Sequence, residues 1–342
     1  MKRILLWKIP IYFMLIAIGL LWLIIYQLTD IAPTAKHEIQ QAQAAIPVNS
    51  QEIQQVRLQE YQLIKPLIMT EVMTESAGLK DLNRALSFEI NTLKATVSIS
   101  DASVYVRRLN DGEWTVVNGA ATYAPGSIIK IAAMITYLKM SEANPQLLNK
   151  EYLFKGRRKG VPNQTFNDDP MVAGKKYSAK ELLTRVIVNS DNDATLIINE
   201  SLDLNLFKKL FTDLGIPEPD VHDPHFTISV TDLSKFLRVV FNATYLNIDN
   251  SNYAMTLLSK SSFTKGIVNG LPANTMVAHK FGETGNSIEA QLHETAIVYL
   301  SDEPYLITIM TKGKSVQRLP DVLSDLSKIA YQNMNTAEVT VR

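Results

Sequence analysis

The 342-residue sequence contains no cysteine, which excludes disulfide bridges, thiol catalysis and metal centres held by thiolates. The absence does not assign a compartment, because a cysteine-free chain suits an oxidising space without requiring one. Histidine is also scarce, with five residues in all. His222 and His225 share a short loop, but that loop lacks the remaining ligands of a metal site. We therefore predict neither a metal nor a cofactor.

Net charge is absent as well, because 34 basic residues balance 34 acidic ones and the isoelectric point lies near 7.0. A protein that binds nucleic acid usually needs a positive field, so the sequence predicts no nucleic-acid partner. Hydrophobic residues make up 46% of the chain, a share that suits a globular protein. The length allows one large domain with appendages, or two domains.

The N-terminus carries an apolar run with a positive flank. Lys2, Arg3 and Lys8 precede residues 9–29, which include no charged side chain. About 20 residues of helix span a hydrocarbon core of roughly 30 Å. We expect residues 1–29 to form a cytoplasmic flank and a transmembrane anchor, with the rest of the chain periplasmic or at the cell surface. A cleaved signal peptide is the alternative, although its apolar region usually has only about 7–15 residues.

The next part of the sequence, residues 30–94, reads as a stalk followed by packing helices. Residues 30–55 are polar, with Pro33 and Pro47 as breakers. Apolar residues then recur at helical spacing, which predicts two helices with a break near Gly78. These apolar residues are Ile53, Val56, Tyr61, Ile64, Leu67 and Ile68.

Residues 95–335 have the pattern of an α+β domain, and residues 336–342 form a tail. A turn signal, Asn110-Asp111-Gly112, lies between two alternating segments and predicts a β-hairpin. Helices are expected over 128–140, 178–215, 229–241, 252–259 and 320–334. Strands are expected over 276–281, 294–300 and 305–310. The order of strands, a long helical middle, strands and a closing helix predicts a sheet that joins distant segments.

A serine and a lysine three residues apart begin the predicted helix after Pro125 and Gly126. Ser127 and Lys130 share one face at a helix start, where the helix dipole favours developing negative charge. Apolar surroundings lower the pKa of a lysine, which makes it a base for a serine nucleophile. The spacing also arises by chance, and Ser262 with Lys265 is a second instance to which we assign no role.

Two further short motifs follow. Ser190-Asp191-Asn192 comes after an apolar helical stretch; its hydroxyl can relay a proton and its amide can bind a carbonyl, although it also reads as a helix cap. Lys280-Phe281-Gly282 lies on a predicted strand, where a cation can hold a carboxylate and a glycine permits close approach to the backbone.

Together the three motifs resemble the signature of class A β-lactamases and penicillin-binding proteins. The order matches, and so do the spacings of 63 residues from Ser127 to Ser190 and 90 from Ser190 to Lys280. The stretch 174–195 resembles the family around its second motif. The resemblance implies a β-lactamase/DD-peptidase-like fold, an antiparallel sheet flanked by helices plus a helical subdomain. It also implies a nucleophile, base, proton relay, substrate contacts and an oxyanion hole of two backbone N–H groups. By this resemblance Ser127 is the nucleophile, Lys130 the base and Ser190 the proton relay. The substrate contacts are Asn192, Lys280 and Gly282, and the oxyanion hole is formed by the N–H groups of Ser127 and Glu283.

The sequence departs from that pattern in two places. Phe281 stands where the family usually has a threonine or serine, which removes a hydroxyl expected to bind a β-lactam carboxylate. The Glu-x-x-x-Asn loop that positions hydrolytic water in class A β-lactamases has no clear counterpart in the short stretch between Gly215 and Thr231. Glu218 and Asp220 are the acids near that place. Either one could replace the missing base, and the alternative is that both are solvated loop residues.

The resemblance implies acyl transfer through a Ser127 acyl-enzyme on a β-lactam or a related small-molecule or peptide-like amide. The alternatives are a D-alanyl-D-alanine peptidase-like enzyme with slow deacylation, a catalytically weak binding pseudoenzyme, and a hydrolase of an ester or amide unrelated to the cell wall. The complete set of Ser127, Lys130, Ser190 and Asn192 argues against the pseudoenzyme, and Phe281 argues for it.

The membrane prediction has a direct test. One fusion carries, after Arg342, a reporter that works only outside the cytoplasm. We expect this reporter to be active, because the positive flank holds the N-terminus inside. The matched fusion to a reporter active only inside should be silent. The opposite pair of results would show that the predicted topology is wrong.

Overall fold

A computed structural model describes residues 53–336, except for 97, 163–164, 167–168, 224, 286–288 and 301–302. The predicted anchor and most of the predicted stalk lie outside these residues. Across the described ranges, no helix is both long enough and apolar enough to cross a bilayer.

The described chain forms an α+β fold, as the sequence predicts. Its strands are β1 Ile53–Arg57, β2 Leu67–Val72, β3 Asp101–Arg108, β4 Trp114–Val117, β5 Thr122–Tyr123, β6 Glu151–Leu153, β7 Lys176–Ser178, β8 Ile228–Ser229, β9 Met276–Gly285, β10 Ala290–Tyr299 and β11 Tyr305–Gly313. Its helices are α1 Lys80–Ala95, α2 Lys130–Ala143, α3 Ala179–Val188, α4 Asn192–Glu200, α5 Leu204–Asp213, α6 Val230–Phe241, α7 Ile248–Leu258 and α8 Leu319–Thr336.

The main sheet is antiparallel and has the strand order β4-β3-β11-β10-β9. The predicted hairpin of β3 and β4 is confirmed, and so are the three C-terminal strands. Strand β11 pairs with β3, which joins the end of the domain to its beginning. Strand β9 lies at the edge of the sheet, and its residue Gly282, in the third motif, packs against the turn that carries Ser127.

Helix α2 lies at the centre of the packing between the helical region and one face of the sheet. All residues from Lys130 to Leu138 are buried, which is the environment of a helix that is apolar on every side. The strongly apolar run predicted as a helix is therefore a core element. Because Lys130 lies in its first turn, the same packing removes that lysine from water.

Helices α1 and α8 cover the opposite face of the sheet. In α1 the residues Leu82, Leu86 and Ile90 are spaced four apart and are all buried, so they form one packed stripe. The predicted helix after Gly78 and the closing helix are both confirmed.

The predicted first packing helix is wrong, because residues 53–72 form the antiparallel hairpin β1–β2. The helical spacing of the apolar residues gave a wrong prediction because most of these side chains do not face a core. Leu63 is 97% exposed and Ile64 is 58% exposed. The hairpin attaches instead through charge. The Glu71 carboxylate pairs with the buried guanidinium groups of Arg107 and Arg238, while Ile68 packs into the core.

The helical middle follows the sequence prediction closely. Ser178 caps α3: it accepts a hydrogen bond from the Glu181 N–H, and the Glu181 carboxylate accepts one from the Ser178 N–H in return. Helices α3, α4 and α5 then follow, with the second motif at the junction between the first two.

Candidate active site

A cleft of about 500 Å³ opens between the start of α2 and the edge strand β9. Ser127, Lys130, Asn192 and Glu283 line it. These four come from three distant parts of the sequence, and the structure brings them together as the resemblance implies. Ser190 and Gly282 lie directly behind the wall of this cleft, in contact with Lys130 and Ser127 respectively, and Lys280 lies behind Ser190.

Ser127 lies in the 3-10 turn Gly126–Ile129 that leads into α2. Two glycines allow this turn to touch β9. A Cβ atom on Gly282 would lie 2.5 Å from the Ile128 nitrogen, and one on Gly126, whose φ is 54°, would lie 2.7 Å from the Glu283 carbonyl oxygen. Only residues without a side chain fit at this contact. The close approach sets the N–H groups of Ser127 and Glu283 on neighbouring segments at one end of the cleft.

Lys130 directs its amine toward the second motif. Its Nζ donates to the Ser190 carbonyl oxygen at 2.5 Å and to the Asn192 Oδ1 at 2.7 Å, and it lies 3.4 Å from the Ser190 Oγ. Burial lowers the pKa of Lys130 to about 7, and the carboxylates of Asp191 and Glu283 oppose part of that shift. A substantial fraction of the amine is therefore neutral near pH 7 and able to accept a proton.

The second motif forms the helix cap that its sequence allows, while the proton-relay role of Ser190 stays a prediction. Asp191 caps α4 by accepting from the N–H groups of Asp193 and Ala194. Ser190, directly before this cap, has a φ of 57°, a left-handed conformation that is uncommon for a residue with a side chain and is typical of functional sites. The helix cap thus fixes the backbone that presents the Ser190 hydroxyl.

Lys280 is completely buried behind Ser190. Its Nζ donates to the Ser190 Oγ at 2.8 Å and to the Phe281 carbonyl oxygen at 2.7 Å. Burial, followed by the nearby charge of Lys130, lowers the pKa of Lys280 well below its usual range. The predicted contact of Lys280 with substrate stays a prediction, since here its amine contacts protein groups and does not line the cleft.

Phe281 also turns away from the cleft. Its ring is buried and stacks on Phe263 with 4.4 Å between centroids, and the edge of Phe166 packs against it at 6.0 Å. The substitution seen in the sequence is therefore part of an aromatic cluster under α8. A smaller residue at position 281 would leave a cavity in that cluster. The sequence alone did not indicate that Phe281 packs in this way.

Pro162 and Thr165, from the segment between β6 and β7, also line the cleft, and sequence reasoning missed them. The Asn192 Nδ2 donates to the Pro162 carbonyl oxygen at 3.1 Å, and Arg157 holds the same carbonyl at 2.7 Å. The Thr165 N–H donates to the Glu283 Oε1 at 2.6 Å. Carbonyl and amide groups of the chain itself thus contact two of the predicted substrate-binding residues.

His293 was also missed, because one histidine on an apolar strand gives no signal. Its Nδ1 accepts from the Thr311 N–H at 3.1 Å, so its Nε2 carries the proton and donates to the Ala124 carbonyl oxygen at 3.0 Å. Burial lowers the pKa of His293 to about 4, which keeps the ring neutral. This side chain ties β10 to the segment directly before Ser127.

A second cavity of about 430 Å³ adjoins the cleft, and the two share Ile129, Lys130 and Thr195 as walls. It lies beside the short loop after α5, and Asp220 lines it. Glu218 is turned elsewhere, because its carboxylate pairs with Lys208 at 3.0 Å. Of the two acids singled out in the sequence, only Asp220 therefore lines the cavity that Lys130 also lines.

Comparison with known proteins agrees with this geometry. The profile of the β-lactamase enzyme family matches residues 85–334, well over half of the chain, so the chain belongs to that family. It is a serine hydrolase of the β-lactamase and penicillin-binding-protein type, as the three motifs predict. No match was found among curated proteins.

Solved structures show the same fold at low sequence identity. The structure of PBP-A is 18% identical, with a TM-score of 0.64, and the match covers 77% of this chain and 99% of that one. A β-lactamase from Burkholderia phymatum is 19% identical, with a TM-score of 0.62, over 74% of this chain and 99% of that one. The extended-spectrum β-lactamase TLA-1 is 16% identical, with a TM-score of 0.63, over 74% and 99%.

The burial of Lys130 predicts how the reaction depends on pH. Acylation should rise with pH and reach half its limiting rate near pH 7, because a protonated Lys130 cannot accept the serine proton. Asp191→Asn should move that midpoint to lower pH, since it removes a charge that raises the lysine pKa while asparagine still caps a helix. The measurement is the acylation rate constant between pH 5 and 9.

Asp203→Asn is the matched control, because Asp203 caps α5 in the same way. It should leave the midpoint unchanged. A rate that is flat through pH 7, or an Asp191→Asn midpoint that moves upward, would contradict the role of Lys130 as the base.

Proposed function

We propose that this chain hydrolyses a β-lactam or a related amide through an acyl-enzyme on Ser127, as class A enzymes of the family do. The observation that carries the proposal is the buried amine of Lys130, with its pKa lowered to about 7, in the cleft that Ser127 lines. A neutral amine beside a serine at a helix start is the arrangement that activates a hydroxyl nucleophile.

In the proposed acylation, the Ser127 Oγ attacks the acyl carbon as its proton passes to the Lys130 Nζ. The amide C–N bond breaks, and the leaving nitrogen takes the proton of the Ser190 Oγ. Ser190 recovers a proton from Lys130, 3.4 Å away, so that the lysine ends neutral. Lys280 donates to the same hydroxyl and holds it in place for this transfer.

The developing oxyanion would accept hydrogen bonds from the backbone N–H groups of Ser127 and Glu283. Removing one such donor typically costs about 10²–10³-fold in rate. The contact of Gly126 and Gly282 with the neighbouring backbone supports this assignment, because it brings the two segments together. Asn192, which lines the cleft, would donate its amide to a carbonyl of the substrate in place of Pro162.

A variant of PBP-A with this fold has been captured as an acyl-enzyme complex with penicillin G. A penicillin-binding or peptidase-like enzyme with slow deacylation is the second candidate function here. The observation that favours it is the loop after α5, where Glu218 pairs with Lys208 instead of lining either cavity. The loop after α5 therefore offers no glutamate to activate a hydrolytic water in the cleft.

The cellular setting belongs to the same proposal. The positive flank and the uncharged run of residues 9–29 favour an uncleaved anchor, with the hydrolase outside the cytoplasm. An enzyme so placed would meet β-lactams and cell-wall peptides where both occur.

Covalent labelling tests the nucleophile. Purified protein treated with a fluorescent penicillin should carry one adduct on Ser127, identified by mass spectrometry, and Ser127→Ala should carry none. Ser262→Ala is the matched control and should label normally, because the Ser262 hydroxyl donates to the Val188 carbonyl and does not line the cleft. An adduct that persists in Ser127→Ala would overturn the proposal.

Turnover should be limited by deacylation. A positioned general base typically contributes about 10²–10⁴-fold, so its absence should slow release of the acyl group by a similar factor. A chromogenic cephalosporin should give a burst near one equivalent, followed by slow release. Fast linear turnover without a burst would contradict this, and loss of that turnover in Asp220→Asn, but not in Glu218→Gln, would identify the missing base.

A further inference from the structure

A third cavity, of about 400 Å³, continues the cleft beside the second motif. It shares Pro162, Asn192 and Thr195 with the cleft, so the two spaces meet along one wall. The other residues that line it are Arg158, Lys159, Gly160, Val161, Leu196 and Asn199. A substrate group that extends past Asn192 would therefore enter a space that neither Ser127 nor Lys130 lines.

The charged residues along the described lining of this cavity have one sign. Arg158 and Lys159 are basic, and none of the other described lining residues is acidic. Asn192, Thr195 and Asn199 add uncharged side chains that can donate hydrogen bonds. An anionic group in this space would meet two cations and neutral donors, with no carboxylate on the described lining to repel it.

Arg157 holds the segment that brings these cations to the cavity. Its guanidinium pairs with the Asp193 carboxylate at 3.4 Å, and it donates to the carbonyl oxygens of Val161 at 3.2 Å and Pro162 at 2.7 Å. Asp193 belongs to helix α4, so Arg157 fastens the segment to that helix. Its own N–H groups are engaged in this role.

Arg158 and Lys159, in contrast, have donors to offer. Arg158 pairs with Glu200, which does not line this cavity, and both side chains of that pair are about half exposed. Such an exposed pair is weak, and a guanidinium has further N–H groups beyond the one that Glu200 accepts. Lys159 is exposed and forms no ion pair with any residue that the structure describes.

A row of polar contacts indicates which part of a substrate would reach this cavity. The Lys130 Nζ lies 3.4 Å from the Ser190 Oγ and 2.7 Å from the Asn192 Oδ1, and the Asn192 Nδ2 lies 3.1 Å from the Pro162 carbonyl oxygen. In the proposed mechanism the leaving nitrogen takes its proton at the Ser190 end of this row, and a substrate carbonyl replaces Pro162 on the Asn192 amide. The part of the donor that stays on Ser127, its acyl part, then lies toward the shared wall.

We infer that this cavity is a subsite for an anionic group, such as a carboxylate, on the acyl part of the donor, and that Arg158 and Lys159 bind that group. The inference rests on the proposed function, because the Ser127 acyl-enzyme defines the acyl part. It deepens that function by naming the substrate class, an amide with a negative charge on its acyl side. An exposed ion pair changes a rate by about fivefold at most, so two cations together should give about threefold to tenfold.

The test uses three penicillins that differ at one carbon of the acyl side chain. They are benzylpenicillin, its α-carboxy derivative carbenicillin and its α-amino derivative ampicillin. All three have the same bicyclic nucleus, with the same carboxylate, so only the charge on the acyl side changes. The second-order rate constant for acylation of Ser127 is measured for each at slightly acidic pH, where the added groups are a carboxylate and an ammonium.

The double variant Arg158→Gln, Lys159→Gln of the full-length chain should lower the ratio of the carbenicillin to the benzylpenicillin rate constant by about threefold to tenfold. The ratio of ampicillin to benzylpenicillin should not fall. Lys159→Gln alone should lower the carbenicillin ratio by a smaller factor, and Lys159→Arg should preserve it. In the wild type, added salt should also lower the carbenicillin ratio, since salt screens the attraction.

Lys155→Gln is the matched control. It removes the same charge from an exposed lysine of the same segment, but Lys155 does not line this cavity. It should leave both ratios unchanged. Ratios within one variant also cancel any change in the basicity of Lys130, which affects all three donors alike.

The outcomes separate the inference from the function beneath it. If the double variant leaves the carbenicillin ratio unchanged, slows all three donors alike, or lowers the ratio no more than Lys155→Gln does, the inference is wrong and the acyl-enzyme stands. If no donor labels Ser127, the proposed function is wrong and the inference falls with it.

Discussion

Two buried amines share one hydroxyl in this protein, and the chemistry of the cleft depends on that arrangement. Lys130 and Lys280 approach the Ser190 Oγ at 3.4 and 2.8 Å, and both side chains lie in the core. Two adjacent ammonium ions in a medium of low dielectric constant repel each other and lose their hydration, so burial favours the neutral form of each. In the proposed mechanism, the neutral amine of Lys130 is the base and the Ser190 hydroxyl passes the proton.

The surrounding elements hold this arrangement by close backbone contact. Helix α2 buries the first lysine, and the α4 cap fixes the backbone of Ser190. Gly126 and Gly282 let the turn that carries Ser127 touch the edge strand β9, where a side chain would separate the two segments. On the other side of the turn, the neutral ring of His293 binds the Ala124 carbonyl. Each contact limits the movement of a different part of the site.

Much of this could be predicted from the sequence. The helices from residue 128 onward have strong apolar patterns. The capping box of Ser178 and Glu181 can also be read from the sequence. The three motifs have fixed spacings, so their joint appearance indicated which residues would meet. The hairpin of β1 and β2 could not be predicted in this way, because its apolar residues recur at helical intervals while many of them face solvent. Its attachment is an ion pair between Glu71 and Arg238, which are 167 residues apart.

Contacts between distant segments were beyond sequence reasoning for the same reason. The Thr165 N–H reaches Glu283 across 118 residues, and no local pattern indicates that pairing. From the sequence, Phe281 could be interpreted only as the loss of a hydroxyl group. The structure shows that its ring packs in an aromatic cluster with Phe263 and Phe166. A motif predicts which of its own residues meet, and it does not indicate which distant residues pack against them.

The central claim is that burial lowers the pKa of Lys130 to about 7, so that a large fraction of its amine is neutral near pH 7. A direct measurement is the titration of lysine Cε by NMR in the chain labelled with ¹³C at that carbon. The resonance is assigned by its loss in Lys130→Arg. The account predicts that this resonance titrates with a pKa of about 7. A titration near 10.5, the ordinary value for lysine, would contradict it.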